Sequence, residues 1–183
     1  MIKRLSGPFY LSLLFLFMTV SNVFAAHIVG GDVTYRFLSF NQDSSVVTFE
    51  ITVTMYRDAL GGGAGFDAAD QTSFGVFRRR PQGDWVLVED RRGVGPQGIR
   101  PVPPNDLDCV EEPTNQVEVE QGFYRFNVDL VVNDQDYMIA YQRCCRNESI
   151  ANIRLPGDTG AVFDVIISPE AQLAGNNLSL IHI

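Results

Sequence analysis

Apolar residues recur at every second position in two long segments of this chain, and this period of two restricts the fold more than any other feature. In the segment 47–55 the apolar positions are Val47, Phe49, Ile51, Val53 and Met55. In the segment 124–132 they are Tyr124, Phe126, Val128, Leu130 and Val132. Because the side chains of a β-strand alternate between the two faces of a sheet, each segment predicts a strand that is buried on one face and solvated on the other.

Further short apolar runs, separated by clusters of Gly, Pro, Asn and Asp, predict more strands. They cover residues 28–38, 73–79, 85–89, 137–143 and 161–167. Residues 81–84 predict a hairpin turn, and residues 91–118 form a long excursion rich in proline and glycine. No window of a dozen residues has the period of a helix. The sequence therefore predicts an all-β fold, an antiparallel β-sandwich that is immunoglobulin-like in general architecture, with a long Pro/Gly-rich loop.

The first 25 residues have the pattern of a secretory signal peptide. A basic start with Lys3 and Arg4 precedes an apolar run over residues 9–20, and Val23 and Ala25 occupy the positions that signal peptidase reads. We therefore predict cleavage after Ala25. The apolar run is shorter than the roughly 20 residues that a membrane span needs, and no later segment approaches that length. The sequence predicts export to the cell surface or the extracellular space, with no membrane span in the mature chain.

The charge of the mature chain makes some partners improbable. Removal of the leader takes away two basic residues, which leaves 12 arginines against 22 acidic residues and a formal net charge of −10. An acidic protein repels phosphate backbones and anionic lipid headgroups, so nucleic-acid binding is not expected. Five of the arginines fall in residues 78–80 and 91–92, and we expect Asp84, Glu89 and Asp90 to offset them on a solvated surface.

All three cysteines, Cys109, Cys144 and Cys145, lie in the exported part, where disulfides form. Adjacent residues of a strand point to opposite faces, so Cys144 and Cys145 are expected to face different sides. One bridge from Cys109 to either of them would tie the long loop to the sandwich by closing a loop of about 35 residues. The sequence leaves the pairing open. A reactive catalytic thiol is the alternative, but no histidine lies near in sequence to activate it.

A glycine-rich segment over residues 62–67 fits one copy of the calcium-binding nonapeptide of secreted β-roll proteins. Three aspartates lie in or near this segment: Asp58, Asp67 and Asp70. Carboxylates together with backbone carbonyls are ligands that Ca²⁺ accepts. A β-roll site forms between stacked repeats, whereas this chain has a single copy, so a solvated loop is the favoured interpretation. Calcium at these three aspartates is the alternative, and no other cofactor is expected.

Residues 158–161 have the sequence Asp-Thr-Gly-Ala, which retroviral-type aspartic proteases carry around the catalytic aspartate. In a dimer, two such loops bring two carboxylates together to share one proton. Those enzymes usually lead into the aspartate with an apolar strand, whereas Pro156 and Gly157 make a turn here. A turn into the following strand is the simpler interpretation. A dimeric retropepsin-like protease that uses Asp158 is kept as an alternative function.

Five segments of the chain form a recognisable set of motifs: residues 26–35, 55–58, 141–147, 152–153 and 157–161, of which the run Gln-Arg-Cys-Cys-Arg-Asn at 142–147 is the most specific. Together they resemble the N-terminal domain of large Bacteroidota cell-surface proteins. Those gliding-motility-associated and adhesin-like proteins often carry immunoglobulin-like repeats of the polycystic-kidney-disease (PKD) type and end in a type IX secretion sorting domain. The family commonly has two further cysteines, at places that here hold Ala59 and Glu118.

The resemblance implies a non-enzymatic exported module with an adhesive or structural role, as the N-terminal part of a larger multidomain protein. After a signal peptide at residues 1–25, the β-sandwich domain would span residues 26–177, and residues 178–183 would be a truncated or foreign end. The implied partners are neighbouring domains of the longer chain and a surface polysaccharide or protein. Since some bridges of the family are missing, the resemblance does not decide the pairing of Cys109.

Overall fold

The computed structural model describes residues 28–60, 65–103, 118–144, 146 and 150–174. The strands are β1 (Ile28–Asn41), β2 (Val46–Asp58), β3 (Ser73–Arg79), β4 (Trp85–Arg92), β5 (Ile99–Pro101), β6 (Val119–Val131), β7 (Tyr137–Arg143) and β8 (Ala161–Ile167). A 3₁₀ turn, Pro156–Asp158, precedes β8, and a short helix, α1 (Pro169–Ala174), follows it. No helix within the described ranges has the length and apolar character to cross a membrane.

Two four-stranded antiparallel sheets form a sandwich. One sheet has the order β1-β2-β6-β5 and the other has the order β4-β3-β7-β8. With the strands lettered as in immunoglobulin domains and β4 taken as strand C′, these are the sheets A-B-E-D and C′-C-F-G. The predicted antiparallel β-sandwich of immunoglobulin-like architecture is therefore confirmed.

Strands β2 and β6 form the longest pairing and carry one half of the core. All 13 residues of β2 pair with β6, from Val46 opposite Val131 to Asp58 opposite Val119. The alternating apolar residues of the segment 47–55 are all 0% exposed. On β6 the buried side chains are Tyr124, Phe126, Val128 and Leu130, with Val132 partly buried just beyond the strand. The faces predicted for both strands are confirmed.

The second sheet supplies the other half of the core. Its inward-facing side chains are Phe74, Val76, Tyr137, Ile139, Tyr141, Val165 and Ile167. The Phe74 ring lies 4.8 Å from the Phe126 ring and 5.8 Å from the Tyr124 ring of the first sheet, between ring centroids. It also stacks on Tyr141 of its own sheet at 4.9 Å. Each ring pair adds about 0.5–1.5 kcal/mol beyond its buried area, so Phe74 contributes to holding the two sheets together.

The connection between β6 and β7 is a tyrosine corner, a feature of immunoglobulin domains. The hydroxyl of Tyr137, the first residue of β7, donates to the Val131 carbonyl at 2.8 Å and accepts from Asn133 Nδ2 at 2.8 Å. Gln172 of α1 forms two further hydrogen bonds to this connection. It accepts from the Asn133 backbone N–H at 3.0 Å and donates to the Gln135 carbonyl at 2.8 Å. The buried amide of Gln172 therefore has partners for both of its ends.

Ile139 occupies a position that antibody domains reserve for cysteine. It stands two residues after the corner tyrosine, where those domains carry the strand F cysteine of the bridge between the sheets. Ile139 is fully buried, and β2, which corresponds to strand B, contains no cysteine. Apolar packing therefore replaces that disulfide at the centre of the sandwich.

The predicted hairpin at residues 81–84 joins β3 to β4. The Arg80 N–H donates to the Asp84 carbonyl at 2.7 Å, and the Gly83 N–H donates to the Arg80 carbonyl at 2.8 Å. Gly83 has a φ of 97°, which glycine adopts without steric strain. The turn prediction is confirmed, and the positive φ at this position explains why the residue is glycine.

Some boundaries and elements differ from the sequence prediction. β1 continues to Asn41 and β4 continues to Arg92, while β5 lies inside the predicted long loop. β5 has only three residues, too few to show a period, and Pro101 fits an edge strand because the missing N–H there costs no sheet hydrogen bond. α1 has six residues, which is also too short for a helical period. The predicted leader at 1–25 and the end at 178–183 lie outside the described residues.

The tyrosine corner can be tested with Tyr137→Phe, which removes one hydroxyl from the buried corner. We expect the free energy of unfolding to fall by about 0.5–1.5 kcal/mol, because the Val131 carbonyl loses one of its two side-chain donors, the other being Asn133 Nδ2 at 2.9 Å, and Asn133 Nδ2 loses one of its acceptors. Tyr35→Phe is the matched control, since the Tyr35 ring is also buried but its hydroxyl has no hydrogen-bond partner among the described residues. Its change should stay below about 0.5 kcal/mol. Urea unfolding measures both, and equal losses would contradict a special role for the corner.

Candidate functional site

The segments that carry the family resemblance meet at one end of the sandwich. Ile28, which begins β1, lies opposite Arg57 near the end of β2 and forms a parallel bridge with Arg146. Arg143, the last residue of β7, pairs with Ala161 at the start of β8. Segments that are far apart in the sequence therefore share one surface, which we call the motif end.

Arg146 organises the connection between β7 and β8 at the motif end. Its backbone N–H donates to the Pro156 carbonyl at 3.0 Å and to the Thr159 carbonyl at 3.1 Å. Its side-chain Nε donates to the Gly160 carbonyl at 3.0 Å. The three bonds hold the 3₁₀ turn against the end of β7, so the Arg146 guanidinium has a defined position.

A polar network crosses the motif end and is centred on Asp67. The Tyr141 hydroxyl donates to Asp67 Oδ2, and Arg143 Nη2 forms an ion pair with Asp67 Oδ1 at 3.1 Å. The Tyr124 hydroxyl donates to the Asp67 backbone carbonyl at 3.1 Å, and Arg143 Nη2 also donates to the Gly65 carbonyl at 3.0 Å. These bonds fasten the connection between β2 and β3 to both sheets.

The strand period explains why this network exists. Arg143 is two residues after Tyr141 on β7, so its side chain faces the same way, toward the interior. An arginine there is largely removed from water, and a buried charge is costly unless it is paired. Asp67 supplies the counter-charge. Sequence reasoning missed this pair, although the alternation in β7 already indicated an inward-facing cation.

Burial raises the pKa values of both tyrosines in the network. For Tyr124 burial is the larger cause and the negative charge of Asp67 the next, and together they raise its pKa to about 12. For Tyr141 burial again comes first, and the hydrogen bond to Asp67 comes second, so its pKa lies well above the ordinary value of 10.0. Both tyrosines therefore stay neutral hydrogen-bond donors at every physiological pH.

A pocket of about 140 Å³ opens beside the network, between the start of β1, the end of β7 and the start of β8. Its walls combine apolar side chains with two cations: Ile28, Val29, Ile150, Val162, Arg143 and Arg146. It is small, and it lies where the motif segments meet. We take it as the candidate functional site.

The three aspartates of the calcium prediction have separate environments. Asp58 Oδ1 accepts from the Leu60 N–H at 2.9 Å, Asp67 is engaged by Arg143 and Tyr141, and Asp70 is exposed. Within the described ranges, no group of three or more His, Cys, Asp or Glu side chains is placed to hold a metal ion. Part of this connection, residues 61–64, lies outside those ranges. Calcium binding stays a prediction.

Of the predicted bridge, only Cys144 falls among the described residues. It follows β7 and lines the pocket. Cys109 and Cys145, the two candidate partners, lie outside the described residues. The predicted bridge between the long loop and the sandwich therefore stays a prediction, with its pairing open.

Asp158, the candidate protease residue, lies in the 3₁₀ turn before β8 and is exposed. Its backbone N–H donates to the Leu155 carbonyl at 3.0 Å, and the Thr159 hydroxyl donates to the same carbonyl at 3.1 Å. The tetrapeptide at 158–161 is thus a turn that leads into a strand, as the simpler interpretation expected.

Four of the five arginines of residues 78–80 and 91–92 are offset by surface carboxylates, as expected, whereas Arg78 is in no ion pair between described residues. The ion pairs are Arg79 with Asp136, Arg80 with Asp84, Arg91 with Glu89 and Arg92 with Asp90. Exposed pairs of this kind contribute about 0–1 kcal/mol each. They reduce the local positive charge and make this surface a weaker candidate than the motif end.

The chain was compared with protein-family models, with curated proteins and with solved structures, and no significant match was found in any of the three. The resemblance to Bacteroidota surface domains therefore stays a prediction. The chemistry of the motif end has to be argued from its own residues.

The raised tyrosine pKa values predict a loss of stability at alkaline pH. Between pH 10 and pH 12, Tyr124 ionises in the unfolded chain but keeps its proton in the folded one. The unfolded state then binds fewer protons, so the free energy of unfolding falls as the pH rises. Its full contribution is present below pH 10 and is lost as the pH approaches the folded pKa.

We expect Tyr124→Phe to make this decline less steep by up to about 1.4 kcal/mol per pH unit. Urea unfolding at a series of pH values measures the two slopes. Below pH 10 the slopes of the variant and the natural chain should agree, which serves as the internal control. Parallel curves between pH 10 and pH 12 would show that burial does not raise the Tyr124 pKa.

Proposed function

We propose that the chain is a non-enzymatic, exported cell-surface module with an adhesive or structural role, of the gliding-motility-associated type. In this proposal it is the N-terminal part of a larger multidomain protein of Bacteroidota, with PKD-type repeats and a type IX secretion sorting domain further along. One disulfide, from Cys109 to either Cys144 or Cys145, would hold its long loop against the sandwich.

The direction of the strands is the observation that supports this proposal most. β1 begins at the motif end, next to Arg57 and Arg146. β8 finishes at the opposite end, because Ile167 pairs with Tyr137 at the tyrosine corner. A chain that enters a sandwich at one end and leaves at the other can connect modules head to tail. This arrangement suits a surface protein built from successive sandwich domains.

An adhesive role would fall to the connections at the ends of the sandwich, because binding on such domains resides in loops that a rigid scaffold positions. At the motif end, Arg143 and Arg146 present positive charge on a chain whose formal net charge is −8. An acidic surface polysaccharide or an acidic neighbouring domain is the partner that this charge favours.

Export can be tested by expressing the tagged full chain in a Bacteroidota host. We expect the protein on intact cells to be accessible to added protease, and its N-terminal residue by mass spectrometry to be Ala26. Ala25→Arg should block cleavage, because signal peptidase needs a small residue there, whereas Ser21→Ala serves as the control and should be processed normally. Uncleaved chain in the cytoplasm would contradict the proposal.

The alternative from another class is the dimeric retropepsin-like protease, and a catalytic assay separates the two. We expect the purified chain to have no proteolytic activity at acid pH and Asp158→Asn to leave that result unchanged, because Asp158 is exposed in a turn. Acid proteolysis that disappears in Asp158→Asn would overturn the non-enzymatic proposal. The second alternative, a calcium-stabilised binding module, would use Asp58, Asp67 and Asp70.

A further inference from the structure

We propose that the pocket at the motif end binds a carboxylate group, with Arg146 and Arg143 as its cationic partners. The proposal concerns what the pocket recognises and does not rest on the adhesive role of the module. Three observations on the described residues support the proposal: a buried donor without an acceptor, a cation without a carboxylate partner, and the size and charge of the pocket.

The side chain of Arg143 is only 10% exposed. Its Nη2 is used by Asp67 and Gly65, but its Nη1 is buried and has no hydrogen-bond partner in the described part of the chain. A buried donor without an acceptor costs about 1–3 kcal/mol, and native proteins rarely leave one. Arg143 lines the pocket, so an anion bound there would lie beside a guanidinium whose hydrogen-bonding capacity is not fully used within the described residues.

Arg146 has no carboxylate partner among the described residues. Its Nε is held by the Gly160 carbonyl, which orients the guanidinium beside the pocket. Four surface arginines, Arg79, Arg80, Arg91 and Arg92, each have a carboxylate partner, whereas Arg78 of β3, like Arg146, is in none of the ion pairs between described residues.

The local charge and the shape of the guanidinium groups indicate the kind of anion that fits the pocket. Asp67 offsets one of the two positive charges, and Asp32 and Asp164 line the next groove along the edge between β1 and β8. The two arginines and Asp67 alone leave about one positive charge, and the two aspartates of the neighbouring groove lower it further, which suits a monoanion better than a dianion. The planar fork of a guanidinium matches a carboxylate. Apolar walls from Val29 and Val162 exclude part of the water and strengthen the attraction.

The test titrates the purified, oxidised chain with sodium D-glucuronate, with acetate and with glucose at constant ionic strength. Calorimetry measures affinity, and the side-chain N–H resonances of arginine in ¹⁵N NMR report the site. We expect saturable binding of glucuronate, weaker binding of acetate at the same resonances, and none of glucose. Arg146→Gln should weaken glucuronate binding at least about tenfold.

Arg154→Gln is the matched control, because Arg154 is an exposed arginine of the same β7–β8 connection and does not line the pocket. It should leave affinity unchanged. Since Arg143→Gln could unfold the motif end by leaving Asp67 unpaired, the decisive variant is Arg146→Gln, with its fold checked by circular dichroism. Equal affinity of Arg146→Gln and the natural chain, equal binding of glucose and glucuronate, or no saturable binding of either acid would overturn the proposal.

Discussion

The burial of the inner faces of β2 and β6 against the second sheet is the interaction on which the rest of the structure depends. Each fully buried aliphatic or aromatic side chain on these faces contributes about 1.5–3 kcal/mol. The outer faces carry polar pairs instead, such as Arg36 with Glu50 at 2.9 Å and Thr48 with Asp129 at 2.7 Å. Exposed and half-exposed pairs contribute about 1 kcal/mol or less, so they support the register while the core determines the stability.

The same core explains how the motif end can hold a charge. β7 continues past its last apolar core residue, Tyr141, and the next inward-facing residue is Arg143. Because the sheets are already joined further inside, the sandwich can accept a buried ion pair at its end, where replacing Arg143 by an apolar residue would leave Asp67 unpaired. The pair in turn positions the connection between β2 and β3. A rigid interior thus makes possible a polar, pre-organised end.

The sequence predicted most of the fold and little of the site, for a physical reason. Strands β3, β7 and β8 have the predicted bounds, because an apolar run between turn residues is a local signal. The site depends on contacts between segments that are distant in the chain. Composition grouped Asp67 with Asp58 and Asp70 as calcium ligands, since they are close in sequence, whereas the structure pairs Asp67 with Arg143. No local sequence pattern around Asp67 indicates that Arg143 is its partner.

Net charge and local charge act on different length scales in this protein. The chain carries a formal net charge of −8, which repels a free anion from a distance. At physiological salt the Debye length is about 8 Å, so most of that repulsion is screened before an anion reaches the motif end. The guanidinium groups of Arg143 and Arg146 act at hydrogen-bond distance, where partly apolar walls limit screening. An acidic protein can therefore keep an anion site, provided that the site holds its cations beside a pocket rather than on an open surface.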